Sequence, residues 1–470
     1  MSRYALSVAI VLSLTGCIVG PDYQRPDVAA PKQWSAPTAN TAQTKALERW
    51  WQNFNDPILN QLVVDAINAN LDLKQTLERV TQARAQRTAT IAAGLPSLSG
   101  KNTVSRRLNS SSSGSGAQGG GFGFGSQLIN LLQAGVDAQW EIDFFGGVQR
   151  AVEAADASID SEVENRRDVL VTLLGEVARN YIELRGNQQL IAITQSNLRS
   201  QQDTIDLLKV RQQAGLADMS EIAQAEAELA TINAQFPSYE TAVQQAIHAL
   251  SLLLAKQPDA LKSRLEPVDN IPVVKTSVLP DLPSELLQRR PDIRYAERQL
   301  AAANAQIGIA KSELYPKFNL AAFLGVQNMS ITDFTPVGKS WSMASTLTMP
   351  LFNWGKLNAN IKTKESQYQQ SLLGYQKTVL TAFKEVEDAL VAYQNEQHKQ
   401  QALQQAVAAN QQAVQLVTER YEKGMSNFIN VLNSQQALYQ AQSNLVSSKA
   451  KTSADLVMLY KVLGGGWQNF

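Results

Sequence analysis

Cysteine is almost absent from this 470-residue chain: Cys17 stands alone. One thiol cannot close an intramolecular disulfide. With only two histidines, His248 and His398, far apart in sequence, no soft-ligand metal site can be assembled. An excess of either charge is missing too, since 42 Lys and Arg face 42 Asp and Glu. The basic bias or basic face of a nucleic-acid binder is therefore lacking. No glycine-rich phosphate loop, GxSxG elbow or HExxH motif occurs, and no nucleophile has an evident base. Together these absences argue against an enzyme and call for no metal or cofactor.

The apolar run Ala5–Leu14 has about the length of a signal-peptide core and is too short to span a bilayer. Arg3 gives a basic start, and the run ends in Leu14-Thr15-Gly16-Cys17. Small residues before a cysteine let signal peptidase approach the backbone, and the thiol accepts a diacylglyceryl group. The segment resembles a bacterial lipoprotein lipobox, with Cys17 as the lipidation residue. An ordinary secretory signal with an incidental cysteine is the alternative. Ile18, not aspartate, follows Cys17, which favours delivery to the outer membrane. Gly20-Pro21-Asp22-Tyr23 and further prolines up to Pro37 then keep the chain extended, as a strap.

Proline is absent from residues 148–214 and again from 357–423. Each stretch can run about 67 residues as one helix, roughly 100 Å long. The two are copies. A shift of 209 residues, from Gly215 to Gly424, also brings Glu176-Val177 onto Glu385-Val386, Leu207 onto Leu416 and Arg211 onto Arg420. Val148, Val152, Ile159, Val163, Leu170, Leu174, Val177, Tyr181 and Leu184 step mostly by three and four. Their counterparts from Leu357 to Tyr393 do the same, so each helix carries one apolar seam. Gly215 and Gly424 end these helices, and return helices over about 218–256 and 428–463 complete two helical hairpins.

Two alternating segments precede each long helix, which a plain coiled-coil rod would not have. Val136, Ala138, Trp140, Ile142 and Phe144 alternate with Gly135, Asp137, Gln139, Glu141 and Asp143. That run of about ten residues is the length of a tilted membrane strand. Trp341, Met343, Leu347 and Met349 repeat the pattern, as do Phe318, Leu320, Ala322, Leu324 and Val326. Strands are expected at about 97–107, 134–144, 317–327 and 340–350. One apolar and one polar face suit a barrel with lipid outside and water inside, although a soluble sandwich has the same alternation. The first half carries about 11 additional residues between its strands, assigned to the Ser/Gly-rich run 109–126 as a flexible loop.

Four strands cannot close a transmembrane barrel, and an open edge in lipid leaves backbone groups unpaired at several kcal/mol each. The chain must therefore oligomerise; three copies would supply twelve strands, enough for a β-barrel in outer-membrane lipid, and twelve helices that pack into a periplasmic α-barrel continuous with it. The fold class is mostly α with membrane β and an internal structural duplication. Along the chain the expected divisions are a signal peptide 1–16, a lipidated strap 17–49, a first repeat 50–256, a linker or equatorial segment 257–281, a second repeat 282–463 and a tail 464–470.

The run Leu282-Pro283-Ser284-Glu285-Leu286-Leu287-Gln288-Arg289-Arg290-Pro291-Asp292-Ile293, followed by Ala296-Glu297, resembles the signature of the outer-membrane factor family of tripartite efflux systems, in its lipidated branch. Gly20–Tyr23, Trp140–Gly146 and Pro350-Leu351-Phe352-Asn353-Trp354-Gly355 resemble that family as well, and the likeness covers nearly the whole mature chain. It implies a homotrimer that docks a periplasmic adaptor (membrane fusion) protein and an inner-membrane transporter of the RND type. The usual cargo is drugs, solvents, dyes or metal ions. A protein-secretion duct would share the fold and is the alternative. The Arg-x-x-x-Gly turns are the candidate adaptor contacts: Arg211, Gly215 and Leu216, with Arg420, Gly424 and Met425. Glycine caps a helix in any case. Family members often carry acidic residues at the periplasmic gate. The matching positions here are Asn430 and Asn433, with Glu221 and Gln224 in the first half, so an aspartate ring is not carried over. Asp218 and Glu221 are the nearest substitutes; gathered carboxylates favour cations, and a solvated turn is the simpler reading. Arg289, Arg290 and Asp292, at a proline-marked helix start, read as structural.

Overall fold

The computed structural model describes residues 18–35, 45–110, 126–274, 283–328 and 338–468. Asp56 caps α1 (Pro57–Ala69), its carboxylate accepting the Leu59 N–H at 2.9 Å with proline in the first turn. Next come α2 (Leu71–Ala93), β1 (Ser97–Ser110), β2 (Ser126–Ile142) and the first hairpin, α3 (Gly147–Gln213) with α4 (Met219–Leu253). After α5 (Pro283–Arg289) and α6 (Pro291–Ser312), the second copy follows: β3 (Lys317–Asn328), β4 (Gly338–Thr348), α7 (Lys356–Glu422) and α8 (Phe428–Val462). Helices α3 and α7 have 67 residues each, α4 and α8 have 35. Among the described residues no helix is long and apolar enough to cross a membrane.

The chain forms two compact units. The first takes the described residues up to Pro26, Thr81–Asp160 and Arg298–Leu373; the second takes Asp27–Val80, Ser161–Glu297 and the chain from Gly374 onward.

In the first unit the four strands pair in chain order, all antiparallel, so β1 and β4 each keep one unpaired edge. Ser97 lies opposite Gln139, Ile142 opposite Phe318, and Lys317 opposite Thr348. Because side chains alternate, this register puts Leu98, Val104, Val136, Trp140, Phe318, Leu324, Trp341, Met343 and Leu347 on one face. That face is open, with Leu98 75%, Leu324 71% and Trp341 76% exposed. The opposite face carries Thr103, Gln133, Asn319, Ser342 and Thr346. Two ion pairs lie there as well, Lys101–Asp137 at 3.2 Å and Lys317–Glu141 at 3.4 Å. Phe323 is the exception on the polar face: its ring covers the opposed glycines Gly135 and Gly325 and is buried there.

Two strand limits differ from expectation. β2 stops at Ile142, short of 144, because Asp143 leaves the ladder to cap α3. Its carboxylate accepts the N–H groups of Gly147, Val148 and Gln149 at 2.7, 2.8 and 3.1 Å. β2 also begins at Ser126 and β1 runs to Ser110, so strand occupies both ends of the run read as a loop at 109–126; residues 111–125 lie outside the described residues. β4 covers Gly338–Thr348 instead of 340–350, since Pro350 has no N–H for a ladder.

In the second unit the seams are buried: Leu170, Leu174, Val177, Tyr181 and Leu184 of α3, and Val379, Val386 and Leu390 of α7. Trp50 stacks on Tyr460 at 5.0 Å, and burial pushes the Tyr460 phenol up to about 12. The segment read as a linker or equatorial segment, 257–281, is packed where described. Leu261, Leu265 and Ile271 are buried, and the Pro267 and Leu265 carbonyls accept from Arg185 at 2.6 Å and Gln188 at 2.7 Å. The tail is packed as well, with Trp467 between Arg167 at 4.6 Å and Arg294 at 5.3 Å.

Candidate functional site

The two long helices end in one geometry. Gly215 (φ 74°) and Gly424 (φ 72°) take the left-handed conformation that glycine adopts freely. Leu216 then donates to the Arg211 carbonyl at 2.8 Å, and Met425 to the Arg420 carbonyl at 2.8 Å. Both apolar residues stand outside, Leu216 68% and Met425 58% exposed. The arginines do not share an environment. Arg420 is exposed, whereas Arg211 is half-buried over the Tyr421 ring at 4.8 Å.

Tyr421 packs with Ile205, Leu208, Ile222 and Phe428, and its hydroxyl donates to the Glu221 carboxylate at 3.0 Å. Burial, and after it that carboxylate, push the phenol above its ordinary range. Glu221 is therefore a held, half-buried group. Asp218 caps α4, accepting the Ser220 N–H at 3.1 Å, and is exposed, as are Gln224, Asn430 and Asn433. Arg420, Met425, Asn430 and Asn433 line one open groove with Val417 and Ser426. Tyr421 is the residue sequence reasoning missed: at the 209-residue shift its counterpart is Gln212, so the repeat conceals it.

The signature run forms a second cluster. Arg290 is buried, and its guanidinium clasps Asp292 at 3.0 and 2.6 Å, reaches Glu385 at 2.8 Å and donates to the Val462 carbonyl at 3.1 Å. One side chain thus ties the start of α6 to α7 and to the end of α8. Asp168 lines the same pocket with Lys461. Burial, followed by the charge of Asp292, raises its pKa. A carboxyl whose folded pKa lies above its unfolded one contributes stability below the ordinary carboxylate range and loses it as pH rises through the folded value. Asp168→Asn is accordingly expected to raise the thermal midpoint at pH 7 and to lose that advantage near pH 3, which thermal unfolding at the two pH values checks.

In the first unit, buried Arg150 grips the strap. It donates to the Val19 and Gly20 carbonyls at 3.2 Å each and pairs with Asp22 at 2.7 Å, while Asn304 donates to the Pro21 carbonyl at 2.9 Å. Cys17 lies outside the described residues, one position before this fixed segment.

The family model described as outer membrane efflux protein matches residues 62–256 and 282–465. The chain belongs to the outer membrane efflux protein family. It is 31% identical to nodulation protein T of Rhizobium leguminosarum bv. viciae over 403 residues, 86% of this chain and 81% of that one. To the pyoverdine export outer membrane protein OpmQ of Pseudomonas putida it is 33% identical, covering 100% of this chain and 98% of the relative. The solved outer-membrane channel OprN superposes with a TM-score of 0.87 at 30% identity, over 96% of this chain and all of the other. The protein is thus an efflux channel of the outer membrane, mostly helical, with a membrane sheet and a duplicated fold.

Proposed function

We propose that three copies of this chain build the exit duct of a tripartite efflux pump, a passive path for drugs or other small toxic compounds from periplasm to exterior. The carrying observation is the four-stranded sheet with one apolar face, one polar face and two unpaired edges. In lipid such edges need partners, and twelve strands from three copies close a barrel with the polar face inward. The two long helices of each chain, each roughly 100 Å, together with their two return helices supply a twelve-helix periplasmic conduit from three copies. Lipidation at Cys17 anchors the strap to the outer membrane. The exposed knobs Leu216 and Met425, with Gly215, Gly424 and Arg420, meet a periplasmic adaptor, which links the duct to an RND-type transporter.

At the periplasmic opening, Glu221 and Asp218 supply the carboxylates that bias the path toward cations. Glu221→Gln is expected to shift the reversal potential of reconstituted channels toward zero in a salt gradient; an unchanged potential removes Glu221 from the gate. The function itself is tested by deleting the gene and measuring tolerance to a panel of drugs, solvents and dyes, with the native and Cys17→Ser forms as complements. Loss of tolerance to at least one compound, restored by the native form, is expected. Unaltered tolerance to every compound contradicts the reading.

A further inference from the structure

The register decides which face of the sheet each strand residue takes, and charge is divided unequally between the faces. The polar face carries both signs: Lys101, Arg107 and Lys317 with Asp137 and Glu141. Among the described strand residues the apolar face carries two charges, Arg106 and Lys339, and both are basic. Both side chains are exposed, and neither has an ion-pair partner among the described residues. Arg106 shares its face with Val104, and Lys339 with Trp341 and Met343, all of them uncovered.

The two cations lie at one depth. Arg106 is nine residues from Ser97, where β1 begins, and Lys339 is nine residues from Thr348, where β4 ends. Ser97 and Thr348 belong to the end of the sheet that continues into α3 and α7. Nine residues at about 3.3 Å each, on strands tilted by about 40°, rise roughly 23 Å. The lipid-facing band of an outer-membrane barrel is about 25 Å tall. Arg106 and Lys339 therefore stand at the border of that band on the side away from the helices. A cation is costly at mid-membrane and tolerated at the border. Water at the border would suit either sign of charge, yet no described acidic residue of the strands shares the face.

We infer that Arg106 and Lys339 bind the phosphate groups of the phosphorylated glycolipid of the outer leaflet, whose acyl chains lie on Val104, Trp341 and Met343 beneath them. The guanidinium offers a fork that matches two phosphate oxygens, and the ammonium a mobile point charge. Cation above and apolar surface below match an amphiphile with an anionic head, and free phosphate would use only half of that surface. The inference rests on the outer-membrane reading and on the trimer proposed above. In that trimer the edge strands β1 and β4 of adjoining copies bring Arg106 and Lys339 onto neighbouring strands, so one glycolipid with two phosphates engages both.

Binding to two glycolipids tests this. The oligomer mass of the purified full-length protein and its insertion into phosphatidylcholine vesicles are measured first. In neutral detergent the protein is then titrated with diphosphorylated lipid A, or with the same glycolipid stripped of its phosphates, and bound glycolipid is counted by native mass spectrometry. The native protein is expected to prefer the phosphorylated form. Arg106→Gln or Lys339→Gln alone should weaken that preference about fivefold, and the two together about thirtyfold, since each cation beside an anionic headgroup acts separately. Arg106→Lys should keep most of it. Arg107→Gln, one residue away on the opposite face, should change nothing. Excess inorganic phosphate should not displace the glycolipid; displacement would reject lipid as the source of the phosphate. Equal binding of both glycolipids by the native protein overturns the inference without any variant having to fold. So does a preference that survives in an assembled double variant, or one that Arg107→Gln weakens equally. Native protein that stays monomeric, or outside the vesicles, contradicts instead the reading beneath it.

Discussion

Gly325→Val is expected to abolish the channel: no assembled protein in the outer membrane and no conductance from what can be purified. At Gly325 a Cβ would overlap the Ala134 carbonyl oxygen and stand 2.7 Å from the Cα of Gly135, both backbone atoms of the neighbouring strand, with the Phe323 ring at 2.6 Å. Backbone in the centre of a sheet cannot move aside without parting the β2–β3 ladder. The cost exceeds the range of about 1–3 kcal/mol for ordinary overpacking. That ladder joins the two halves of the sheet, so its loss adds two unpaired edges per chain. Gly100 is the control. It lies on β1 with no atom within 4 Å of an added Cβ, and Gly100→Ala should assemble normally. Assembly of Gly325→Val at the native level, read by heat-modifiable migration and membrane fractionation, would contradict the packing described.

Arg290→Met is expected to cost about 3–5 kcal/mol, the usual consequence of removing one partner from a buried ion pair. The substitution leaves Asp292, Glu385 and the Val462 carbonyl without the guanidinium that joins them. Arg290→Lys restores the charge but not the fork, and should recover only part of the loss. Chemical denaturation followed by circular dichroism at 222 nm reads the difference. Equal stability of all three proteins would show that Arg290 does not hold α6, α7 and α8 together.

The long hairpins were legible in the sequence because helix breakers are missing where the helices run and glycine stands where they turn. The faces of the sheet were legible for the same kind of reason: alternation survives in any environment that separates oil from water. Strand ends were not. Asp143 fits the alternation by polarity, yet its carboxylate goes to the first N–H groups of α3, a choice set by the backbone that follows it. The segment after α4 shows no helical or strand period and reads as a linker or equatorial segment. Its Leu265 and Pro267 carbonyls nevertheless satisfy Gln188 and Arg185, which lie far away in sequence on α3. At the turns, matching the repeats made Arg211 and Arg420 look equivalent. The difference comes from Tyr421, which only one repeat possesses and which binds Arg211 and Glu221 at once.

The central claim is that one chain is a fragment of a wall. Sedimentation equilibrium of the purified, mature protein in density-matched detergent measures this with the least interpretation. A single species of three times the protomer mass, unchanged over a wide dilution range, is the expected result. A monomer at every concentration would contradict it.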